Sequence, residues 1–225
     1  MQRQTDEQLV EINIEPGAIL SGILNVPADA KGIVLFAHGS GSSRHSPRNQ
    51  FVAQSLNNAG LATLLIDLLT ASEEAIDLRT RELRFDINML AQRLARTIDW
   101  LTHRDKTRPL NIGMFGASTG AGAALLAATL RPSLVSAVVS RGGRPDLAGP
   151  ALSNVQAPTL LIVGGRDTPV IQMNKDAQAK LRVENRLEIV PDATHLFEEP
   201  GALETVADLA KQWFVEHLTE AEART

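Results

Sequence analysis

Leu110-Asn111-Ile112-Gly113-Met114-Phe115-Gly116-Ala117-Ser118-Thr119-Gly120-Ala121-Gly122-Ala123-Ala124-Leu125-Leu126 is the stretch that decides the fold. Its first part is a short, mainly apolar run without alternation, the texture of a strand buried on both faces. Its last part is alanine- and leucine-rich and reads as a helix. Between them, Gly116 to Gly120 fits the pattern G-x-S-x-G. That pattern sets a serine on a tight strand-to-helix turn. The residues two positions to either side must be glycine to avoid clashes, and the helix N-terminus helps stabilise negative charge near the serine. Two plainer readings compete: a turn that only packs, and a turn that cradles a phosphate.

Outward from this unit the texture repeats. Short apolar runs occur at Gly32–Ala37, Leu61–Ile66, Leu134–Val139 and Thr159–Val163, with a last strand at Leu187–Val190. Helical patterns separate them. One opens with Phe51, Leu56 and Ala59. A long amphipathic helix is marked by Leu83, Ile87, Leu90, Leu94, Ile98 and Leu101. Ala121–Leu130, Val170–Leu181 and Ala202–Leu218 supply the others. Before all of these, Val10–Ile14 and Ala18–Val26 flank the turn signal Pro16-Gly17 and read as an antiparallel hairpin. Strand and helix alternate from Gly32 onward. The expectation is an α/β fold: a mostly parallel sheet with helices on both faces and an N-terminal antiparallel hairpin at its edge, in one domain over residues 1–225.

Composition bounds the chemistry. The chain has 225 residues, 44% hydrophobic and 21% charged, with a net charge of −4. No strong field for nucleic acid or an anionic membrane is implied. There is no cysteine, which excludes disulfides, thiolate metal sites and a cysteine nucleophile. The N-terminus lacks an apolar signal core, and no run reaches the roughly 18 apolar residues of a membrane span. A cytoplasmic protein that needs no cofactor or metal, and acts on a small molecule rather than on nucleic acid or membrane, is expected. Its oligomeric state is not legible.

A serine nucleophile needs a base and a group that orients the base. In this kind of sheet they follow in the order serine, acid, histidine. Of the five histidines only His195 and His217 follow Ser118. His217 lies in the terminal amphipathic helix and reads as a surface residue. His195 lies in Asp192-Ala193-Thr194-His195-Leu196-Phe197, just past the last strand, where site residues gather. Asp167 follows the run Leu160–Val163 and is the expected acid, though it could also cap the helix that begins at Thr168-Pro169. Asp146 and Asp192 are rivals; Asp192 stands too near His195 in sequence. The expected catalytic set is Ser118, Asp167 and His195.

After the strand Gly32–Ala37 comes His38-Gly39-Ser40-Gly41-Ser42-Ser43-Arg44. A glycine loop there can aim a backbone N–H at a developing oxyanion. Ser40 is the expected first donor, with Gly41 as runner-up, and Thr119 is the second. His38 reads as a loop anchor. The spacing of a phosphate loop and its Lys-Ser/Thr ending are absent, as is a dinucleotide fingerprint. Gly41, Arg44 and Arg141 are candidate substrate contacts. With Arg48 and Arg144 the arginines could fork an acidic group, or they could be salt-bridged loop residues.

Together, the strand with its His-Gly loop, Gly-Ala-Ser-Thr-Gly, Gly164-Gly165-Arg166-Asp167 and the late Asp-Ala-Thr-His resemble an α/β-hydrolase. The short connection Arg141–Gln156 leaves little room for a cap domain, similar to the dienelactone hydrolase-like branch. Dienelactone hydrolases proper use a cysteine where this chain has Ser118. Residues Gly39–Asn49 and Leu83–Ile87 resemble hydrolases sometimes joined to phosphoribosyltransferase domains. The resemblance covers nearly the whole chain. It implies a capless α/β-hydrolase fold and hydrolysis of small carboxylic esters through an acyl-enzyme. Rival functions are acyl transfer or perhydrolysis on the same triad, and a non-catalytic ligand-binding module.

Overall fold

A computed structural model describes residues 7–15 and 17–219. The strands are β1 (Glu7–Glu15), β2 (Ala18–Asn25), β3 (Gly32–Ala37), β4 (Ala62–Ile66), β5 (Asn111–Ala117), β6 (Val135–Arg141), β7 (Thr159–Gly164) and β8 (Asn185–Val190). They form one sheet in the order β1-β2-β4-β3-β5-β6-β7-β8. From β4 to β8 every pairing is parallel. The hairpin β1–β2 is antiparallel, and β2 joins it to β4 antiparallel as well. The fold class expected from the alternating pattern is therefore the observed one. Gly17, in the hairpin turn, takes φ +85°; Pro16 lies outside the described residues.

The helices are α1 (Pro47–Asn58), α2 (Ala71–Thr80), α3 (Ile87–Thr102), α4 (Thr119–Leu130), α5 (Thr168–Gln178) and α6 (Ala202–Thr219). The sheet's period of two divides the core between them. Ile33, Leu35 and Met114 face Leu90, Leu94 and Ile98 of α3 and the alanines of α4. Val34, Phe36 and Phe115 face α1 and the Trp213–Phe214 pair of α6. Leu94 is wholly buried, so its truncation to alanine should cost about 2–5 kcal/mol.

Three elements depart from the sequence reading. The long helix does not start at Leu83. Residues Leu83–Phe85 form a 3-10 turn, and Asp86 caps α3 by accepting the Met89 N–H at 2.9 Å. The break has a cause. The Asp77 carboxylate accepts the N–H groups of Leu83 and Arg84 at 2.8 and 3.2 Å, which takes those donors out of any helical ladder. Second, α2 was not foreseen. It is held by a capping box in which Thr70 accepts the Glu73 N–H and Glu73 accepts the Thr70 N–H. Further on, β6 runs through Arg141 instead of stopping at Val139. The following connection holds a 3-10 segment, Pro145–Asn154, kinked at Gly149 and packed against α4 and α5.

Candidate active site

The carboxyl ends of β3, β5, β7 and β8 carry the loops that meet around Ser118. The serine holds φ 50° and ψ −122°, a conformation L-residues rarely adopt. The backbone around it fixes that strain. Its N–H donates to Arg141 O at 3.2 Å, and its carbonyl accepts from Ala121 and Arg144 at 3.1 and 3.0 Å. The flanking glycines are required by contact. A Cβ on Gly116 would stand 2.4 Å from Ala121 Cα, and one on Gly120 would stand 2.3 Å from Ala37 O. The G-x-S-x-G reading thus has a steric basis in this chain.

The three expected residues lie in a hydrogen-bonded row. Ser118 Oγ is 3.3 Å from His195 Nε2, and His195 Nδ1 is 2.6 Å from Asp167 Oδ2. With the carboxylate accepting at Nδ1, the neutral imidazole leaves Nε2 free to accept from the serine hydroxyl. Asp167 occupies the N-cap position of α5, yet its side chain makes no capping bond; it turns to His195 instead. The close approach that allows this is at Gly164, where a Cβ would meet Ala193 O at 2.5 Å. The rival acids are engaged elsewhere. Asp146 receives both arms of Arg144 at 2.9 and 2.8 Å. Asp192 faces solvent and meets Arg166 at 3.2 Å.

Histidine placement follows, with one correction. His38 Nδ1 meets Gly39 O at 2.9 Å and Nε2 accepts the Leu68 N–H at 3.1 Å, so the ring anchors the loop. Burial pushes its pKa down, which keeps it neutral. His217 is not the surface residue expected. It is part-buried, edge-on to Trp213 with centroids 4.4 Å apart. It stands near Asn111 and Pro158, at the amino ends of β5 and β7.

Around the nucleophile, the Ser40 N–H points at α4 and donates to Thr119 Oγ1 at 2.9 Å. Thr119 is the first residue of α4, so its own N–H has no partner within the helix. The Thr119 N–H stands free at the helix terminus as expected, but Ser40 is corrected: its N–H is taken by the Thr119 hydroxyl and is not available to an oxyanion. Gly41, at φ +71°, lines a narrow cleft of about 10 Å³ with Leu68, Leu69, Leu90 and Thr119. Its wall is polar-pinned. Buried Arg93 grips Glu73 and the Leu68 carbonyl, and Arg84 is bound to Asp77. The Arg93 hydrogen bonds hold Glu73 down to about 2. At Asp77 burial pushes the pKa up, but donors from Arg84 and Leu83 outweigh it and the net direction is down. The Thr70-x-x-Glu73 signature was available in the sequence for this wall; nothing there pointed to Asp77.

Two candidate substrate contacts stand differently from the open rim positions expected of them. Arg44 is not free, because Asp67 takes both its guanidinium and its N–H. Arg141 does not stand on the rim; it is only 4% exposed, beneath the His195 loop. The larger surface hollows, near Pro132 and Gln156, sit at the amino ends of β6 and β7, the wrong end of a parallel sheet for a site. Among the described residues, no group of three or more metal-ligating side chains gathers, and no helix is long and apolar enough to cross a membrane.

Comparison with known proteins agrees with this architecture. Residues 20–220 match the model of the dienelactone hydrolase family. A dienelactone hydrolase from Anabaena variabilis, known by crystal structure, is 62% identical, with TM-score 0.94 over 96% of this chain and 99% of its own. Est1E from Butyrivibrio proteoclasticus shares the fold, with TM-score 0.78 at 16% identity over 93% and 98% of the two chains. A Mycobacterium tuberculosis protein provisionally named a phosphoribosyl transferase is 56% identical over 209 residues, 92% of this chain. The chain spans 46% of that relative's length. The neighbours and the family support a hydrolase, and the chain belongs to the dienelactone hydrolase family.

Proposed function

We propose that this chain is a serine hydrolase of small carboxylic esters. The observation that carries the reading is the row Ser118–His195–Asp167 on a strained elbow at the carboxyl ends of the strands. Ser118 Oγ attacks the acyl carbon while His195 Nε2 takes its proton. Asp167 keeps the proton on Nδ1 and stabilises the imidazolium. The tetrahedral oxyanion forms at the terminus of α4, where the free Thr119 N–H supplies a donor and the helix dipole favours negative charge. His195 returns its proton to the leaving alkoxide. Water, activated by the same imidazole, then releases the acid.

No metal or cofactor takes part in this scheme, and the chain acts as one unit. The transferase name belongs to a relative of which this chain matches less than half. No step at this row of residues requires a phosphoribosyl group, so hydrolysis is the reading for the matched part.

The test is direct. Ser118→Ala should remain folded and lose nearly all turnover of p-nitrophenyl acetate, leaving only the residue due to oxyanion donors and binding. A fluorophosphonate should label wild type at Ser118. Labelling at another serine, with Ser118 untouched, would overturn the assignment.

A further inference from the structure

Arg141 is the buried charge that the mechanism leaves without a task. Its carbonyl supports the nucleophile, but its side chain runs under the loop of His195. A guanidinium has five N–H donors. Among the described residues this one makes a single hydrogen bond, from Nη2 to Asn49 Oδ1 at 3.2 Å. Its Nε is buried without a partner. Its Cζ lies 5.8 Å from the centre of the Phe197 ring. No carboxylate of the described residues pairs with it. The charge that acts on it is a second cation, Arg48, and burial together with Arg48 lowers its pKa to about 10. It stays protonated at neutral pH.

Arg48 shows the same deficit. Its Nε is also buried and unpartnered. Its Nη1 reaches one carboxylate, Glu198, at 3.3 Å, and that side chain is 63% exposed. Of the two guanidiniums, only that of Arg48, at the first turn of α1, has a carboxylate, and it is loosely held. Buried charges are ordinarily paired. Here the pairing is incomplete, and the one carboxylate present sits on a loop that solvent reaches.

We propose that Arg48, Arg141 and Asn49 form a subsite for an oxyanion group, a carboxylate or a phosphate, with Glu198 as the side chain it displaces. The planar forks of two arginines suit such a group. The subsite adjoins the catalytic loop. Phe197 and Glu198 lie two and three residues past His195, and a Cβ at Gly142, next to Arg141, would lie 3.5 Å from His195 Cε1. The link to catalysis rests on the hydrolase reading above; the anion site itself does not. The anion could be carried by the ester substrate or be free in solution.

The experiment uses the full chain, with inorganic phosphate and succinate as probes. Binding is followed by calorimetry for wild type, Arg48→Ala, Arg141→Lys and Glu198→Gln. Turnover is compared for p-nitrophenyl acetate and p-nitrophenyl hemisuccinate. Loss of one charge-assisted contact should weaken anion binding about tenfold in Arg48→Ala. Arg141→Lys keeps the charge but loses the fork, and should weaken it too. Glu198→Gln should tighten it, since the internal competitor is gone. A substrate-borne anion predicts that the hemisuccinate-to-acetate ratio of kcat/KM falls about tenfold in Arg48→Ala. A free anion predicts that phosphate alters both esters alike and loses that effect in Arg48→Ala. Equal anion binding by wild type and Arg48→Ala, or none by either, overturns the subsite. Failure of Ser118 labelling with anion binding intact would sink the hydrolase reading and leave the subsite standing.

Discussion

Replacing Asp167 by asparagine changes one oxygen to an amide nitrogen and keeps the shape of the side chain. In the native arrangement the carboxylate accepts at His195 Nδ1 over 2.6 Å, a length typical of charge-assisted bonds. Asparagine has two choices there, and both are costly. If its NH2 faces Nδ1, the imidazole proton must move to Nε2, and Nε2 can no longer accept from Ser118 at 3.3 Å. If its oxygen faces Nδ1, the tautomer is right but the imidazolium formed on attack has no counter-charge. Asp167 is only 14% exposed, so an intermediate dielectric applies. Unit charges about 4 Å apart at an effective constant of about 20 attract by about 4 kcal/mol. That corresponds to roughly a thousandfold in rate, and the tautomer error can raise it to about 10⁴. Asp146→Asn is the control, because that carboxylate serves Arg144; it should stay within about threefold of wild type. The assay is kcat/KM for p-nitrophenyl acetate on variants shown to be folded by circular dichroism. A loss below tenfold in Asp167→Asn, or a larger loss in Asp146→Asn, would refute the placement of the acid.

Gly120→Ala should cost about 3 kcal/mol or more, since its Cβ would press on the Ala37 and His38 carbonyls at 2.3 and 2.4 Å. Gly149→Ala, with open space around it, meets only backbone strain at φ 55° and ψ −130° and should cost less, about 1–2 kcal/mol; urea unfolding compares the two, and equal losses would refute the steric argument. Glu73→Gln should lose about 1–2 kcal/mol at pH 7, because the depressed carboxyl is paired with Arg93 yet partly wet. A lowered acid contributes fully above its unfolded pKa of 4.5 and loses that contribution as pH falls toward about 2. The gap between wild type and variant should therefore close over that interval in unfolding curves, and a gap that widens on acidification would refute the pairing. Acyl preference should peak at short chains, because the cleft near Gly41 encloses only about 10 Å³ and each further methylene gains about 0.8 kcal/mol only where walls bury it. Rates measured from acetate to palmitate test this, and a maximum at long chains would defeat it.

How much of this was legible in the sequence depends on whether an element is decided locally. The parallel strands were, because burial on both faces forces unbroken apolar runs such as Ile33–Ala37 and Leu160–Val163. The row at the carboxyl ends was legible in part for a related reason: Ser118 and Asp167 each follow such a run closely, so locating the run locates the residue, whereas His195 follows the half-exposed edge strand β8 and is found by chain order. The break before α3 was not legible. Its cause is Asp77, several residues upstream, whose carboxylate takes the N–H groups of Leu83 and Arg84. Apolar periodicity through Leu83 and Ile87 carries no trace of that competition.

The arginines show the same divide between local signal and distant partner. From sequence, Arg44 and Arg141 were equivalent loop cations beyond strand ends. The partner of Arg44 is Asp67, beyond the next strand, and pairing with it consumes the guanidinium. Arg141 instead extends β6 by two residues past the last apolar position. That alternation turns its side chain onto the face of α1 and α6, where Asn49, Arg48 and Phe197 await it and no carboxylate does. A charge in a strand's final position is unremarkable in a sequence. Its meaning comes from what the opposing helix brings, and here α1 brings a second cation. A fold optimised for stability alone would be expected to place an acid or an apolar residue at one of these positions. Keeping Arg141 unpaired beside Arg48, which has only one loosely held glutamate, is a stability cost, and a ligand oxyanion would offset it on binding.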